Sequence, residues 1–320
     1  MTVRKASELL ISERLLERRP GKGLYVSTNL PTAGLSGNTV QVVVGNLLWE
    51  TSLQMSRGIQ AAAKEDGVQV QLYDAHGDVE LDLSLIDQLP KGTVKGAVII
   101  SLHSPRFNQA VSRLAHAGFP FVLLDHRMRD FEVSSVTADN HAGGYQVGQY
   151  LHRMGHRRIG FIGDLIAVTV QDRLAGLRDG LADAGVPFRR SMAVDLVVGG
   201  DRFGDWSLRV AEAVHRLMSA PERPTAIFCS CDSVAREVYK VLAAAGLHVP
   251  RDVSLIGYDD DPIAEYLSPP LTSVRQPFIE MGKAAMQLLR NRISDPTSSP
   301  EFRVLPAELV LRESVSAVNS

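Results

Sequence analysis

Residues 223–260 read RPTAIFCSCDSVAREVYKVLAAAGLHVPRDVSLIGYDD. Residues 226–229 and 253–257 are short apolar runs with no polar alternation, the pattern of strands buried on both faces. Residues 233–245 between them carry an amphipathic helical pattern. Buried strands joined through a helix imply a parallel sheet covered on both sides.

The same alternation extends outward from this unit. Further buried strands are expected at 40–44, 68–73, 96–100, 121–124, 159–162 and 196–198, and helices at 52–66, 106–117, 142–154, 172–184, 206–218 and 279–292. That is too many strands for one ordinary open sheet, so the expected fold class is α/β with two doubly wound parallel-sheet lobes. Ligands of such sheets lie outside the carboxyl ends of the strands, and a cleft between two lobes gathers those ends into one site.

Composition agrees with a globular chain. Of 320 residues, 45% are hydrophobic and 22% charged, with a net charge of -2, which is enough material for two cores. No apolar run reaches the roughly 20 residues of a membrane span, and Arg4, Lys5 and Glu8 stand where a signal peptide would place its apolar segment. A cytoplasmic protein without membrane contact is expected. Cys229 and Cys231 fit neither a secreted disulfide framework nor a zinc pattern, and read as reduced structural thiols.

Enzyme signatures are absent from the sequence. There is no G-x-S-x-G, no Walker A motif and no H-E-x-x-H, and Gly143, Gly144 and Gly148 miss the dinucleotide spacing. His152 and His156 stand four apart, a spacing for two metal ligands on a helix face, but Gly155 between them ends the helix. Asp259, Asp260 and Asp261 follow a buried strand. The structural reading has Asp260 or Asp261 capping a short helix begun by Pro262, with Asp259 pointing into the cleft. Neither a cofactor nor a catalytic residue is expected.

The front of the chain differs in kind. Val3, Ala6, Leu9 and Leu10 form one helical face, and ERRPGKGLYV at 17–26 packs three cations and two glycines into a hairpin turn. Residues 27–39 are rich in Gly, Pro, Ser, Thr and Asn and read as a linker.

The segments SRGIQAAAKEDG, KGAVIIS, SVTADNHAGGYQVGQYLHRMGHRRIGFIG, RLAGLRDGLADAGV and PPLTSVRQPFIEMGKAA, together with residues 223–260, resemble the effector domain of LacI-type regulators, which is similar to two-lobed type I periplasmic sugar-binding proteins. The resemblance implies an effector and dimerisation domain over 40–316. Its N-lobe would hold 40–137 and 275–296, and its C-lobe 138–274 and 302–316, with crossings near Ala138, near Arg275 and after Asp295. A homodimer is implied as well.

TVRKASELLISERLLERRPGKGLYVS resembles instead the second half of a GntR-type winged helix, a partial remnant over 1–27 followed by a linker at 28–39. That resemblance puts Thr2, Arg4 and Lys5 on a recognition helix, where Arg4 can present a bidentate fork to guanine. It makes Arg18, Arg19 and Lys22 phosphate contacts of a wing, in which Gly21 and Gly23 allow close backbone approach. The family has two helices before the recognition helix. Either the protein extends upstream of Met1, the preferred reading, or it is a truncated relative.

For the cleft, the sugar-binder pattern implies Arg173 as a multiple donor to ligand hydroxyls or a carboxylate, with Asp125 and Asp259 as paired acceptors. Trp206 would stack on a sugar face or else serve simple packing, and Gln276 lies in a crossing. Two departures stand out. Cys231 replaces the usual Asn before Asp232, and Leu48-Trp49-Glu50-Thr51 replaces an N-P-F-F-like segment, so Trp49 can supply the stacking face. These features imply a regulator that binds operator DNA and senses a small effector. A sugar leads, with a purine or other small polar ligand as the alternative. A solute-binding receptor without DNA binding is the competing class.

Overall fold

The computed structural model describes Ile11 and residues 16–19, 23–26, 38–102, 106–197 and 206–318. Thr2, Arg4 and Lys5, expected on a recognition helix, Gly21 and Lys22, expected in the wing, and the linker expected at 28–39, up to residue 37, lie outside them. Strands β1 (Leu16–Arg19) and β2 (Gly23–Val26) pair antiparallel, with Arg18 opposite Leu24 and Arg19 opposite Gly23. The front segment thus contains the expected hairpin.

Two six-stranded sheets follow. The N-lobe sheet contains β3 (Thr39–Val44), β4 (Gln69–Asp74), β5 (Ala97–Ile100), β6 (Phe121–Leu124), β7 (Ser135–Ala138) and β13 (Phe302–Leu305), all parallel, in the order β13-β7-β6-β5-β3-β4. The C-lobe sheet contains β8 (Ile159–Gly163), β9 (Ala193–Asp195), β10 (Ala226–Cys229), β11 (Ser254–Asp259), β12 (Thr272–Arg275) and β14 (Glu308–Val310), in the order β14-β12-β11-β10-β8-β9. Strand for strand the two orders correspond. They differ only at the edge, where β14 runs antiparallel to β12 while β13 runs parallel to β7.

Central strands such as β5, β6 and β10 are buried at every residue, as continuous apolar runs require. Helices α1 (Glu50–Glu65) and α9 (Phe278–Ser294) cover one face of the N-lobe sheet, and α2 (Val79–Gln88) and α3 (Phe107–His116) the other. In the C-lobe, α4 (Asn140–Arg153) and α5 (Val168–Ala182) cover one face, and α6 (Trp206–Met218) and α7 (Asp232–Ala244) the other. A short helix α8 (Ile263–Tyr266) follows β11. One apolar cluster runs through α1, α9, α4 and α5 and so spans both lobes. None of the helices among the described residues is long and apolar enough to cross a membrane.

The lobes exchange helices. α4 leaves β7 of the N-lobe and packs on α5 of the C-lobe, while α9 leaves β12 of the C-lobe and packs on α1 of the N-lobe. Each pair meets backbone to backbone. A Cβ on Gly176 of α5 would lie 1.9 Å from the His141 carbonyl oxygen, and one on Gly144 of α4 would lie 2.0 Å from that of Arg173. The other pair repeats this contact: a Cβ on Gly58 would lie 2.1 Å from the Ile279 oxygen, and one on Gly282 would lie 2.2 Å from the Met55 oxygen.

Several boundaries differ from the sequence expectation. Residues 302–305 were expected in the C-lobe, yet they pair with β7 in the N-lobe sheet, so the last crossing follows Leu305 rather than Asp295. The strand expected at 196–198 is β9, three residues earlier, because the Asp195 carboxylate accepts from the Leu165 and Val197 amides and turns the chain there. Neither Asp260 nor Asp261 caps α8. The Asp260 carboxylate pairs with Arg275 and Arg312, each at 2.7 Å, and the Asp261 amide donates to Asp232 at 2.8 Å.

Gly176→Ala should therefore force α4 and α5 apart and cost about 1–3 kcal/mol, an overpacking penalty. Gly185→Ala, at φ +72 with nothing within 4 Å, meets only backbone strain, worth roughly 1–2 kcal/mol. Urea unfolding of both variants checks the difference: the Gly176 variant also loses the α4–α5 fit, so its near-ultraviolet circular dichroism should change while that of the Gly185 variant does not.

Candidate functional site

The carboxyl ends of the two sheets face one another, and the residues at those ends are acidic. Asp125 follows β6 and Asp259 ends β11, the corresponding strand of the other lobe. Both have left-handed backbone, φ +56 and φ +105. Such conformations are uncommon outside glycine and cost free energy, so the surrounding fold must impose them.

Arg173 stands between these two acids. It lies on α5, is 4% exposed, and is fixed from several sides. Its Nε donates to Asn140 Oδ1 at 2.7 Å and its Nη1 to the Ser230 carbonyl at 2.6 Å. The guanidinium lies 3.8 Å from the centre of the Tyr258 ring, and Nη1 is 3.7 Å from Asp259 Oδ1. Gln276 Nε2 donates to the same Asp259 oxygen at 2.7 Å.

Burial dominates the electrostatics. It pushes Asp259 up to about 7, against the attraction of Arg173 and with the help of Asp125. Asp125 is pushed up to about 6 for the same reason, again opposed by Arg173. A carboxylate next to a cation normally titrates low, so desolvation outweighs the ion pair here. Asp261 rises to about 7 through burial, then through Asp259 and through Glu50. Glu50 opens α1 of the N-lobe, so Asp261 feels charge from across the cleft. Burial and Asp259 together lift the Cys231 thiol to about 11, which leaves it neutral and poorly nucleophilic near pH 7.

Asp232 supports this group from behind. Fully buried, it accepts from Ser273 Oγ at 2.7 Å and from the Asp261 amide at 2.8 Å. A Cβ on Gly257 would lie 1.9 Å from its Oδ1, so the strand needs glycine there.

Asp125, Arg173, Cys231, Asp259 and Gln276 are thus gathered into one electrostatically linked cluster. Trp49 precedes α1 at the N-lobe rim, 46% exposed, next to Glu50, whose charge acts on Asp261. Trp206 is not joined to the cluster by any contact among the described residues; it opens α6 half-buried and packs against the apolar cluster on the outer face of the C-lobe sheet. This contact accords with the packing alternative, and as the first residue of α6 Trp206 also stands at the carboxyl edge of the sheet, the edge that bears the cluster. Of the residues expected at DNA, Arg18, Arg19 and Gly23 lie on the β1–β2 hairpin. His152 and His156 do not share a ligand: His156 Nδ1 meets Thr225 Oγ1 at 2.9 Å, while His152 Nδ1 meets Arg157 at 2.7 Å.

Tyr258, Asn140 and the Ser230 carbonyl belong to the cluster and were not singled out from the sequence, and Asp261, expected as a helix cap, belongs to it as well. Tyr258 alone had a legible signal, an aromatic next to Asp259 at the end of a buried strand.

Four buried polar atoms around the cluster have no hydrogen-bond partner among the described residues: Asp125 Oδ1, Asp261 Oδ1, Gln276 Oε1 and the Tyr258 hydroxyl. The Gln276 oxygen is a pure acceptor, and the Asp125 and Asp261 oxygens are acceptors in their ionised forms. Each orphaned polar atom costs about 1–3 kcal/mol, so a ligand rich in donors would recover that free energy.

Comparison with known proteins gives a consistent picture. Residues 149–315 match the family described as periplasmic binding protein-like domain. The chain is 31% identical to the ribose operon repressor of Haemophilus influenzae over 82% of this chain and 76% of that protein. It is 34% identical to the HTH-type transcriptional regulator CelR of Thermobifida fusca over 80% of this chain and 74% of that protein. Among solved structures, a transcriptional regulator CelR-cellobiose complex superposes with a TM-score of 0.75 at 32% identity, covering 87% of this chain and 84% of the other. A LacI family regulator from Enterococcus faecium with bound ribose gives 0.72 at 25% identity, covering 88% of this chain and 100% of the other.

The raised acids set a pH dependence. Asp259 rises from 3.8 to about 7, so the folded state binds this proton more tightly, and its contribution to stability declines as pH increases across that window. His156 acts in the opposite sense: burial lowers it from 6.5 to about 4, and its contribution is lost as pH falls between those values. Comparing Asp259→Asn with the unsubstituted protein cancels the histidine. In urea unfolding the variant should gain stability relative to the parent between pH 5 and pH 8, and a difference that ignores pH would remove the buried acid from the account.

Proposed function

Because the chain belongs to the LacI-type transcriptional regulators built on a periplasmic-binding-protein-like domain, we propose that it is a ligand-responsive repressor of carbohydrate-utilisation genes whose effector is a neutral sugar held between the lobes. The observation that carries the sugar is the set of orphaned acceptors around Arg173. Sugar hydroxyls donate to Asp125, Asp261 and Gln276 and accept from the Arg173 guanidinium. A phosphorylated sugar or acid would bring negative charge beside Asp125, Asp259 and Asp261, with one buried cation to offset it. A purine base mixes donors and acceptors in one plane and offers fewer donors than a polyhydroxy sugar, which leaves more of the oxygens unpaired.

The two acids lie on opposite lobes, so one ligand that engages both ties the lobes in a fixed relation. A ligand that binds one lobe arrangement better than another shifts the population toward it. If DNA also distinguishes the two arrangements, the sites are coupled reciprocally.

For DNA contact the reading rests on the hairpin β1–β2, which carries Arg18 and Arg19 beside the turn with Lys22. It serves as the wing of a GntR-type reader, in which the resemblance assigns Arg4 to the major groove. Two such readers in a homodimer would meet paired half-sites. The CelR and ribose-bound relatives support the sugar, and the repressors of the family support the operator.

A thermal-shift series on the full-length protein with neutral mono- and disaccharides, their phosphates and purine bases should give its largest rise in Tm with an unphosphorylated sugar. Arg173→Ala should abolish that rise; a purine or sugar phosphate as the strongest ligand would overturn the assignment. Binding to a duplex selected from random sequence should fall steeply with salt. Arg18→Ala and Arg19→Ala should each reduce the magnitude of the salt slope by about 1.

A further inference from the structure

The three segments that lead into adjacent strands β9, β8 and β10 deliver an unusual charge to one place. His156-Arg157-Arg158 precedes β8, Arg189-Arg190 precedes β9, and Glu222-Arg223 precedes β10. These are the amino ends of the C-lobe sheet. The effector cluster sits at the carboxyl ends, so the two places are at opposite edges of one sheet. The chain enters the N-lobe at the amino end of β3, on the far side of the cleft from this arginine-rich edge.

A cavity of about 280 Å³ opens there. Its floor is apolar, made by Leu181 at the end of α5 together with Ile159, Phe188 and Met192, and its rim carries Arg157, Arg158 and Arg189. The rim's acid, Glu222, is taken by Arg189. Arg158 uses Nε on the Arg223 carbonyl at 3.0 Å, and Arg157 uses Nη1 on His152. Both η nitrogens of Arg158 remain without a protein acceptor among the described residues. In a chain with a net charge of -2, this edge is a local excess of cations over an apolar hollow.

We propose that this cavity is a second ligand site, separate from the cleft, for a small amphipathic anion whose aromatic or aliphatic body fills the hollow and whose phosphate or carboxylate head lies on Arg158 and Arg189. A planar guanidinium matches both head groups in bidentate geometry. The volume suits a body the size of a single ring, and the apolar floor sets this site apart from a solvated arginine cluster, which would take inorganic phosphate equally well. The site stands on its own residues and does not depend on which ligand occupies the cleft.

Calorimetry on the full-length protein with phenyl phosphate as the probe tests it, with inorganic phosphate and phenol as the head alone and the body alone. Phenyl phosphate should bind more tightly than either part. The double variant R158Q/R189Q, altered only at exposed side chains, should weaken it about tenfold or more, as expected for lost charged hydrogen bonds. R158K/R189K keeps the charge but loses the fork and should fall between. Arg173→Ala should leave phenyl phosphate binding unchanged. Absence of binding, equal binding of inorganic phosphate, indifference to R158Q/R189Q, or loss in the Arg173 variant would each overturn the proposal.

Discussion

A guanidinium that is 4% exposed must have its charge and its donors met inside the protein, since an unpaired buried ion costs several kcal/mol. Arg173 draws its partners from α4, from the end of β10 and from the end of β11. Sliding α5 over the sheet would break all of these at once. The same burial keeps Asp259 and Asp125 raised although a cation stands beside them. Desolvation wins over attraction, so the cluster is better described as held in readiness for a polar ligand than as a stabilising salt bridge.

The exchanged helices give this cluster its frame. α4 and α9 each originate in one lobe and pack in the other, and both seat themselves through glycine notches that bring backbones together. Contacts this close leave no side chain to adjust, so each helix pair moves as a block. The hinge is then confined to the crossings, and one of them carries Gln276, which reaches Asp259. A change in the relation of the lobes would therefore act on the Gln276–Asp259 contact.

Much of this was legible from residues alone. Eight strands announce themselves as apolar runs, Asp125, Asp259 and Gln276 stand after strands or in a crossing, and Arg173 was singled out through the resemblance to sugar-binding proteins. Strands β7 and β12 were not legible, because Ser135–Ala138 and Thr272–Arg275 are rich in Ser and Thr although buried, nor were the edge strands β13 and β14, which carry no buried apolar run. Helix α2 escaped because Val79, Leu81, Leu83 and Leu85 alternate like a strand, although Asp78 caps it through the Glu80 and Leu81 amides.

The correspondence between the lobes carries one more consequence. Gly144 rests on the Arg173 carbonyl as Gly282 rests on that of Met55, so Arg173 and Met55 occupy matching places in the two halves. The acids Asp125 and Asp259 match as well, but the cation has no counterpart. The two lobes thus contribute matching acceptors, whereas the guanidinium that stands between them is contributed by the C-lobe.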